Sequence, residues 1–418
     1  MGRFAGLWHE RDFLKLWASQ TISVLGNQVT ALALPLTAAL TLDASAAEMG
    51  VLVAAERAPF LLFGLVAGVW VDRVRKRPLL IAANLGRAVL LFTITLTALA
   101  DLLTMAQLIS IAFATGILTV FFDIAYYSYV PTLVRREQLV EANSKLEVSY
   151  SVALVAGPGL AGVLVQLVTA PIAIAVDAGS YLVASLGLAR IRAEEPPPTS
   201  QTRPPLRRAI AEGLRFVGGH PLIRPVVAAS ATFTFFGSMQ LAVYVLWATR
   251  DLELSPALLG GLFLFAGLGT LAGAAVTARL VTWLGLGHAM VTALLVRGFG
   301  RLLTPIAALV PPLAVPVLAL SGFVEGVGAT AHNVNQVSLR QSLTPEHLMG
   351  RMIASVRFIT WGAMPLGGLA GGALGSLIGL EATLYVGGAG SLLGAVWVWF
   401  SPLRQTASLS AATAHSDG

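Results

Sequence analysis

The chain has 418 residues, of which 56% are hydrophobic and only 11% are charged, and its mean hydropathy is +0.78. Soluble proteins are typically about one quarter charged, so this composition excludes a water-soluble fold and requires surface that faces lipid. Cysteine is absent and the six histidines lack metal-ligand spacing, so disulfides and thiol chemistry are excluded and no metal site or cofactor is expected.

Twelve apolar runs, each about as long as a bilayer is thick, predict twelve transmembrane helices. In chain order these spans cover residues 13–41, 48–71, 79–100, 104–130, 146–168, 170–189, 224–248, 256–280, 286–308, 312–337, 352–377 and 382–401. Helices satisfy their backbone groups internally, so the predicted fold class is an all-α polytopic membrane protein. The first run is longer than the apolar segment of a cleavable signal peptide, and we expect it to remain as a helix.

The first two spans carry polar and charged side chains at membrane depth. Asn27 and Gln28 in the first span can hydrogen-bond a polar substrate in a central cavity or tie helices together. Glu56 and Arg57 in the second span are adjacent, so they point about 100° apart and do not pair with each other. An ionisable group inside a span is costly unless it is paired or hydrated, so Glu56 is a candidate proton carrier. Arg57 can contact a substrate, and a role in helix packing is the alternative.

The second span ends in the stretch "GVWVDRVRKRP", residues 68–78, in which one acid precedes four cations. A helix C-terminus carries partial negative charge, so Asp72 lies at the unfavourable end of its own helix. The sequence therefore predicts a compensating partner outside that helix. The alternative is that residues 72–77 form an ordinary basic loop in water, in which Asp72 has no such partner.

The segment 190–223 contains five prolines ahead of an amphipathic stretch, which predicts a linker with a surface helix. This linker bisects the chain. We therefore expect one six-helix bundle over residues 1–189, a second over residues 224–401, and a flexible tail over residues 402–418.

The second half of the chain has its own intramembrane polar groups. Glu325 lies near the middle of the tenth span, where a carboxyl group is a candidate for proton coupling. A structural ion pair with Arg297 or Arg301 of the ninth span is the alternative. Further polar residues can contact a substrate, tie helices or simply be hydrated: Gln240 in the seventh span, and His332, Asn333, Asn335 and Gln336 in the tenth.

The distribution of cations predicts the orientation. Of the 27 lysines and arginines, 21 lie in the termini, linker and loops of one side, whereas the loops of the opposite side hold only Arg250. The positive-inside rule then places both termini and the linker in the cytoplasm, for a multi-pass protein of the inner (plasma) membrane. The sequence pI of about 10.0 is therefore a sign of topology, and no nucleic-acid partner is expected.

The two halves of the chain show weak internal matches at nearly one spacing. Glu137 and Glu346 are 209 residues apart, Pro158 and Pro365 are 207 apart, and Gly68 and Gly273 are 205 apart. Together these matches indicate a duplication of a six-helix unit, which is typical of secondary transporters.

The loop after the second span resembles the signature of the major facilitator superfamily, formed here by Gly68, Asp72, Arg73, Lys76 and Arg77. Arg75 departs from that pattern, which usually has a second glycine there. Three stretches resemble the superfamily's exporter branch, which includes enterobactin-type siderophore exporters and macrolide efflux pumps: "RDFLKLWASQTISVLGNQV" (11–29), "VPTLVRREQLVEANS" (130–144) and "VDAGSYLVAS" (176–185). The resemblance implies twelve helices in two pseudo-symmetric six-helix bundles.

The resemblance also implies roles for particular residues. Asp72 is expected to meet the electropositive N-terminus of the eleventh span in the outward-facing state, and the neighbouring arginines to reach Asp123 in the fourth. We call this set the conformational latch. Glu325 is expected to face the transport pathway, and Asp177 in the sixth span to be structural.

"GPGLAG" in the fifth span resembles the glycine-proline motif of exporters, here Gly157, Pro158, Gly159 and Gly162. Small residues let helices approach closely, and proline bends a helix, so the resemblance implies a kink that tunes the outward-facing pathway. Generic close packing is the alternative.

No nucleophile motif, phosphate-binding loop or nucleotide-binding domain is apparent, so neither enzymatic activity nor direct use of ATP is expected. We expect a proton-coupled exporter of a hydrophobic or amphiphilic small molecule such as a drug, macrolide or siderophore. Its expected partners are that substrate, protons and the lipid bilayer, and we expect a monomer. The alternatives are an importer or facilitator of a polar nutrient and a non-transporting membrane scaffold.

Overall fold

The computed structural model describes residues 7–71, 73–193, 195, 206–406 and 408, which form thirteen α-helices and no β-strand. The helices are α1 Arg11–Leu36, α2 Ala46–Val71, α3 Lys76–Leu99, α4 Met105–Leu133, α5 Leu139–Val168, α6 Ala170–Ala189, α7 Leu206–Gly219, α8 Ile223–Arg250, α9 Pro256–Leu284, α10 Leu286–Ile306, α11 Ala314–Leu343, α12 Met349–Ile378 and α13 Leu380–Trp399. Among the described residues, ten of these helices are long and apolar enough to cross a membrane, the exceptions being α2, α7 and α12. The predicted all-α membrane fold is confirmed.

Each of the twelve predicted spans coincides with one long helix, and the differences lie at the ends. α5 begins at Leu139, whereas the apolar run begins at residue 146, and α11 continues to Leu343, past the predicted end at 337. The added turns contain Lys145 and Arg340, which lower hydropathy but are good helix formers. Hydropathy marks the lipid boundary, whereas backbone hydrogen bonding continues the helix beyond it.

One compact unit contains α1, α3 to α6, the part of α2 from Ala58 and the part of α9 up to Gly261. In this first unit α1 packs against α5 and α6, and α3 packs against α4 and α6. Its core is formed by buried side chains that include Phe13, Leu16, Leu80, Tyr129 and Leu188.

The second unit contains α7, α8, α10 to α13, the part of α2 up to Arg57 and the rest of α9. Here α8 packs against α12 and α13, and α10 packs against α11 and α13, which repeats the helix pairs of the first unit. Its core includes Val226, Met290, Leu294, Leu339 and Val398.

The duplication is confirmed at the level of local geometry. α5 and α12 both have 30 residues and α6 and α13 both have 20, and each pair starts 210 residues apart. The turns after α1 and α8 also correspond: Asp43 and Glu253 have φ of 47° and 51°. The next N–H in each turn donates 2.9 Å back into the helix, from Ala44 to Ala38 and from Leu254 to Ala248.

The repeat spacing of 210 places all three sequence matches out of register, by different amounts. Glu137 and Glu346 lie in equivalent 3₁₀ turns, before α5 and α12, but differ by one residue in register because the turns begin at Arg136 and Glu346. Pro158 and Pro365, however, are one turn out of register, and Gly68 and Gly273 are five residues out. Both are similar local patterns and not equivalent positions, because small residues recur along any closely packed membrane helix.

α2 and α9 are each divided between the two units. The physical reason is close backbone contact. The start of α2 packs with Gly50 against Gly368 and Gly372 of α12, and the start of α9 packs with Gly260 against Gly162 of α5.

The linker contains the short helix α7, which packs against α12 through Gly213 and through an ion pair between Glu212 and Arg351. The start of the segment that the sequence predicts to be a flexible tail contacts α10. Pro402–Gln405 form a 3₁₀ turn, Leu403 is fully buried, and the carbonyl of Thr406 accepts a 3.0 Å hydrogen bond from Gly287 N–H. Residues 407 and 409–418 lie outside the described residues.

Candidate functional site

The second unit holds a three-residue ionic cluster between α10 and α11. Arg297 and Arg301 lie one turn apart on α10 and therefore project from the same face. Arg297 Nε donates to Glu325 Oε1 of α11 at 2.9 Å, and Arg301 Nη2 donates to the same oxygen at 3.5 Å. The Glu325 side chain is 22% exposed, so the carboxylate is largely but not completely shielded. One carboxylate thus serves two guanidinium groups, and the cluster carries a net positive charge when all three are ionised.

An aromatic ring supports both arginines. Phe233 on α8 is itself buried, and the centroid of its ring lies 3.6 Å from Arg297 Cζ and 4.5 Å from Arg301 Cζ. A cation over an aromatic face is attracted by the ring quadrupole, and the attraction strengthens when the pair is shielded from water. Phe233 and Glu325 therefore hold the guanidinium groups from two sides.

Glycines create the space that this cluster occupies. A Cβ added at Gly237 of α8 would lie 2.5 Å from Arg301 Nη1, and one added at Gly328 of α11 would lie 2.6 Å from the backbone nitrogen of Arg297. These contacts bring three helices close enough for Glu325 to reach α10. The structural ion pair that the sequence left open as an alternative is therefore present, and it involves both arginines.

Gln240, a predicted substrate contact, is buried beside this cluster. Its Nε2 donates to the carbonyl of Leu384 at 2.7 Å and to that of Arg301 at 3.3 Å, and its Oε1 accepts from Arg301 Nη1 at 3.5 Å. Gln240 thus ties α8 to α10 and α13.

The predicted polar residues of α11 differ in their exposure. Asn335 is buried and donates 2.8 Å to the carbonyl of Ala331 on its own helix, whereas Asn333 is exposed and accepts from Gln336. His332 is buried and lies 3.2 Å from the hydroxyl of Ser230 on α8. Only Asn333 among these residues presents an exposed amide.

The first unit holds a related group around Arg87 of α3, which the sequence analysis did not single out. Arg87 is 1% exposed, and its guanidinium lies between the rings of Phe122 and Tyr181, 4.3 and 4.2 Å from their centroids. It also donates hydrogen bonds to Asn84 Oδ1 and, at 3.3 Å, to the Tyr181 hydroxyl. Arg87 precedes Arg297 by 210 residues, the repeat spacing, and that spacing is the signal that could have identified it.

Two of the predicted residues in the first unit connect α1 to α6. Tyr181 donates its hydroxyl proton to Asn27 Oδ1 at 2.5 Å. Asp177 is fully buried and accepts hydrogen bonds from Thr30 at 2.5 Å and from Ser180 at 3.0 Å. Asp177 therefore makes the contacts of a structural residue, as expected from the resemblance.

The glycine-proline motif of α5 has two crowded positions and one open position. A Cβ at Gly157 would lie 2.4 Å from Gln28 Cγ of α1, and one at Gly162 would lie 2.5 Å from the Pro256 carbonyl of α9. A Cβ at Gly159 would have no neighbour within 4 Å among the described residues. Gln28, a predicted substrate contact, therefore packs on the motif, and close helix packing accounts for Gly157 and Gly162.

The latch can be described only in part, because Asp72 lies outside the described residues. A Cβ at Gly68 would have no neighbour within 4 Å among the described residues, and Arg73 is exposed. Lys76 and Arg77 begin α3, and their backbone N–H groups donate to Glu195 at 2.5 and 3.2 Å. A helix N-terminus favours an anion, so Glu195 anchors the start of the linker there, a contact that the sequence analysis did not predict.

The side chains of the latch cations also have partners outside α4. Arg77 donates to the carbonyls of Leu188 and Ala189 at the end of α6, at 3.0 and 2.5 Å, and Lys76 Nζ lies 3.8 Å from Glu195. Asp123 is half-buried on α4. Its pairing with the loop cations stays a prediction.

Glu56, the second candidate for proton coupling, is half-buried on α2 and forms no hydrogen bond or ion pair with another described residue. Clusters of potential metal ligands are likewise absent from the part of the chain that the structure describes.

The chain resembles known transport proteins over nearly its whole length. The model of the family described as "Transmembrane secretion effector" matches residues 2–417. The multidrug efflux pump Tap of Mycolicibacterium fortuitum is 28% identical over 403 residues, which cover 94% of this chain and 96% of that protein. Macrolide efflux protein A of Streptococcus pyogenes is 25% identical over 185 residues, covering 43% of this chain and 44% of that protein.

A solved structure shares the fold. A bacterial homologue of the iron transporter ferroportin, in its inward-facing state, superposes with a TM-score of 0.72 at 17% identity, covering 93% of this chain and 98% of that one. The likeness extends through both six-helix repeats. With twelve long helices in its described part, its duplicated architecture and its efflux relatives, the chain belongs to the transmembrane secretion effector family of the major facilitator superfamily and is an efflux transporter, not an enzyme.

Proposed function

We propose that the protein couples the export of hydrophobic or amphiphilic small molecules to protons, by alternating access. The observation that carries the proposal is the carboxylate of Glu325, which is shared between Arg297 and Arg301 in a partly exposed site. Of these three groups only the carboxyl can exchange a proton near physiological pH, since guanidinium groups stay charged, and the two arginines hold it ionised while they remain in contact with it.

The geometry supports a link between protonation and helix movement. While Glu325 is ionised, it neutralises part of the charge on α10 and joins α10 to α11. A proton on Glu325 would leave two guanidinium groups, held on one helix face, without their shared anion, and like charges at short range repel strongly in a shielded site. Protonation would therefore favour a different arrangement of these helices, and substrate binding could favour the first.

The relatives support the proposed substrate class. One is named a multidrug efflux pump and another a macrolide efflux protein, and both names refer to export. Drugs and macrolides are hydrophobic or amphiphilic, and siderophores remain within the proposed class. The comparisons offer no support for import of a polar nutrient or for a non-transporting scaffold.

The test of proton coupling is Glu325→Gln, which keeps the size and hydrogen-bonding capacity of the side chain but cannot titrate. In inverted membrane vesicles with an imposed pH gradient, we expect uptake of a fluorescent cationic dye by the variant to lose its dependence on the gradient. The control is Glu346→Gln, an exposed glutamate in the turn before α12, which should behave like the natural protein. Full dependence on the gradient in Glu325→Gln would reject this role and direct the same test to Glu56.

We further propose that Asp72 acts as the latch acid, supported by its position after α2 and by the anchored N-terminus of α3 that follows it. Asp72→Asn should remove most dye export, because the amide lacks the charge that a helix N-terminus stabilises. The amount of protein in the membrane should stay unchanged. Export rates normalised to protein in the membrane provide the measurement, with Asp101→Asn as the matched control in the turn between α3 and α4. Normal export by Asp72→Asn would exclude the latch.

The charge distribution supports a plasma-membrane protein with both termini in the cytoplasm. Nothing in the proposed mechanism requires a second copy of the chain, so we propose that the monomer is the transporting unit.

A further inference from the structure

A polar pocket of about 1170 Å³ lies at the end of the first unit where α1 and α3 begin and α6 ends. Its charged lining contains more cations than acids. The cations are Arg11, Lys15, Arg77, Arg190 and Arg192, and the acids are Glu10 and Asp12. We call this pocket the basic pocket.

Hydrogen bonds within the protein build the pocket and occupy its Asp12 carboxylate. Asp12 accepts from Lys15 Nζ at 2.6 Å and from the backbone N–H groups of Arg192 and Ala193 at 3.0 and 2.8 Å. Lys15 also donates to the carbonyl of Arg190 at 2.7 Å. The segment after α6 is therefore fixed against the start of α1. Asp12 already accepts three hydrogen bonds, so its carboxylate has few acceptor positions left for the arginines around it.

Three of the arginines keep their guanidinium groups uncommitted. Arg11, Arg190 and Arg192 are all exposed, and none of them donates a side-chain hydrogen bond or forms an ion pair with a described residue. A guanidinium group presents a rigid fork of donors that matches the geometry of a phosphate. Three such groups around one pocket favour an anion with several oxygen atoms.

An exposed apolar face of α6 leads up to the pocket. Leu182 and Leu186 lie four residues apart on one face of α6, and Arg190, the residue directly after the helix, continues that four-residue spacing. Leu182 and Leu186 are 38% and 57% exposed, and Val183 beside them is 50% exposed. Arg190 is therefore the charged end of an apolar stripe, which is where the headgroup of a lipid lies when its chains follow the helix.

We propose that the basic pocket binds the phosphate of an anionic phospholipid headgroup, with the acyl chains along the exposed apolar face of α6. Basic pockets between transmembrane helices are suited to such headgroups, because the charges attract the phosphate and the neighbouring apolar surface accepts the chains. This site is separate from the Glu325 cluster and does not depend on the direction of transport.

The full-length protein, purified in a neutral detergent, is titrated with three probes. Dioctanoyl phosphatidylglycerol is the anionic lipid, dioctanoyl phosphatidylcholine has the same chains without net charge, and inorganic phosphate has the anion without chains. Native mass spectrometry measures the apparent affinity, and the melting temperature measures stabilisation. The test variant is the double substitution Arg190→Gln and Arg192→Gln. The control is Arg135→Gln and Arg136→Gln, which removes two exposed arginines from the turn between α4 and α5, outside the pocket.

We expect phosphatidylglycerol to bind and to raise the melting temperature, and phosphatidylcholine to bind at least tenfold more weakly. The Arg190/Arg192 variant should lose about tenfold or more in affinity for phosphatidylglycerol, while the Arg135/Arg136 control keeps it. Equal losses in the two variants, or equal binding of the two lipids, would overturn the site. If inorganic phosphate stabilised the protein as well as phosphatidylglycerol does, the ligand would be a soluble phosphate and the lipid assignment would be wrong.

Discussion

Arg87 and Arg297 stand 210 residues apart, in corresponding helices of the two units, yet they have different partners. Arg87 is enclosed by Phe122 and Tyr181 and donates to neutral oxygens, whereas Arg297 shares the Glu325 carboxylate with Arg301. A buried charge is stable only when it is paired or well hydrogen-bonded. Among the described residues, a carboxylate therefore accepts a hydrogen bond from the repeated arginine in the second unit and not in the first, so the duplicated units differ in their chemistry.

A second difference between the repeats concerns the backbone. Thr169 joins α5 to α6 with φ 78° and ψ 157°, and Gly379 joins α12 to α13 with φ 88° and ψ 164°. That region of φ and ψ is essentially restricted to glycine, and a β-branched residue there is strained by about 1–3 kcal/mol.

We therefore expect Thr169→Gly to raise the free energy of unfolding by about 1 kcal/mol, since Thr169 is exposed and its side chain loses little packing. The reciprocal change, Gly379→Thr, should lower it. Melting temperatures of the purified proteins in one detergent give the measurement. A fall in stability for Thr169→Gly would contradict this account of the joint.

At the scale of the element, α5 and α12 each have a glycine that brings two helix backbones into contact at equivalent places. Gly162 meets Gly260 in the first unit, and the equivalent Gly372 meets Gly50 in the second. Without side chains at these positions, two helices pack at distances that any Cβ would prevent. The start of α9 is consequently held by α5 in the first unit, and the start of α2 by α12 in the second.

Gly162→Ala should therefore destabilise the protein by about 1–3 kcal/mol, because the new Cβ would lie 2.5 Å from the Pro256 carbonyl and 2.9 Å from Gly260 Cα. Gly159→Ala is the matched control in the same motif. Its Cβ meets nothing among the described residues, and alanine favours the helix more than glycine does. Thermal unfolding of both variants provides the comparison, and equal effects would mean that the contact with α9 is unimportant for stability.

At the scale of the whole molecule, the uneven distribution of 21 cations predicts the orientation, and the absence of cysteine allows a direct test. Leu102→Cys lies in the turn between α3 and α4 and is 69% exposed in the natural protein, whereas Arg136→Cys lies in the exposed turn between α4 and α5. In intact cells, a membrane-impermeant maleimide should label only Leu102→Cys. Arg136→Cys should react only after permeabilisation, and the reverse pattern would invert the proposed topology.

Most of the architecture follows from composition and hydropathy. The long apolar runs determine the number of helices, because a backbone in lipid must satisfy its hydrogen bonds internally. The loop signature identifies the superfamily, and the prolines of the linker separate the two repeats. The sequence also singles out Glu325, since a carboxyl group in the middle of an apolar run is conspicuous.

The tertiary structure alone decides which groups meet. No local pattern reveals that Arg297 and Arg301 share one oxygen of Glu325 over Phe233, that Glu195 occupies the N-terminus of α3, or that Gln240 ties three helices. The physical reason is that hydropathy depends on each residue's own transfer from water to lipid and therefore predicts position across the membrane. Ion pairs, stacked rings and crowded glycines depend instead on how distant helices rotate and pack against one another, and that information is not contained in any single span.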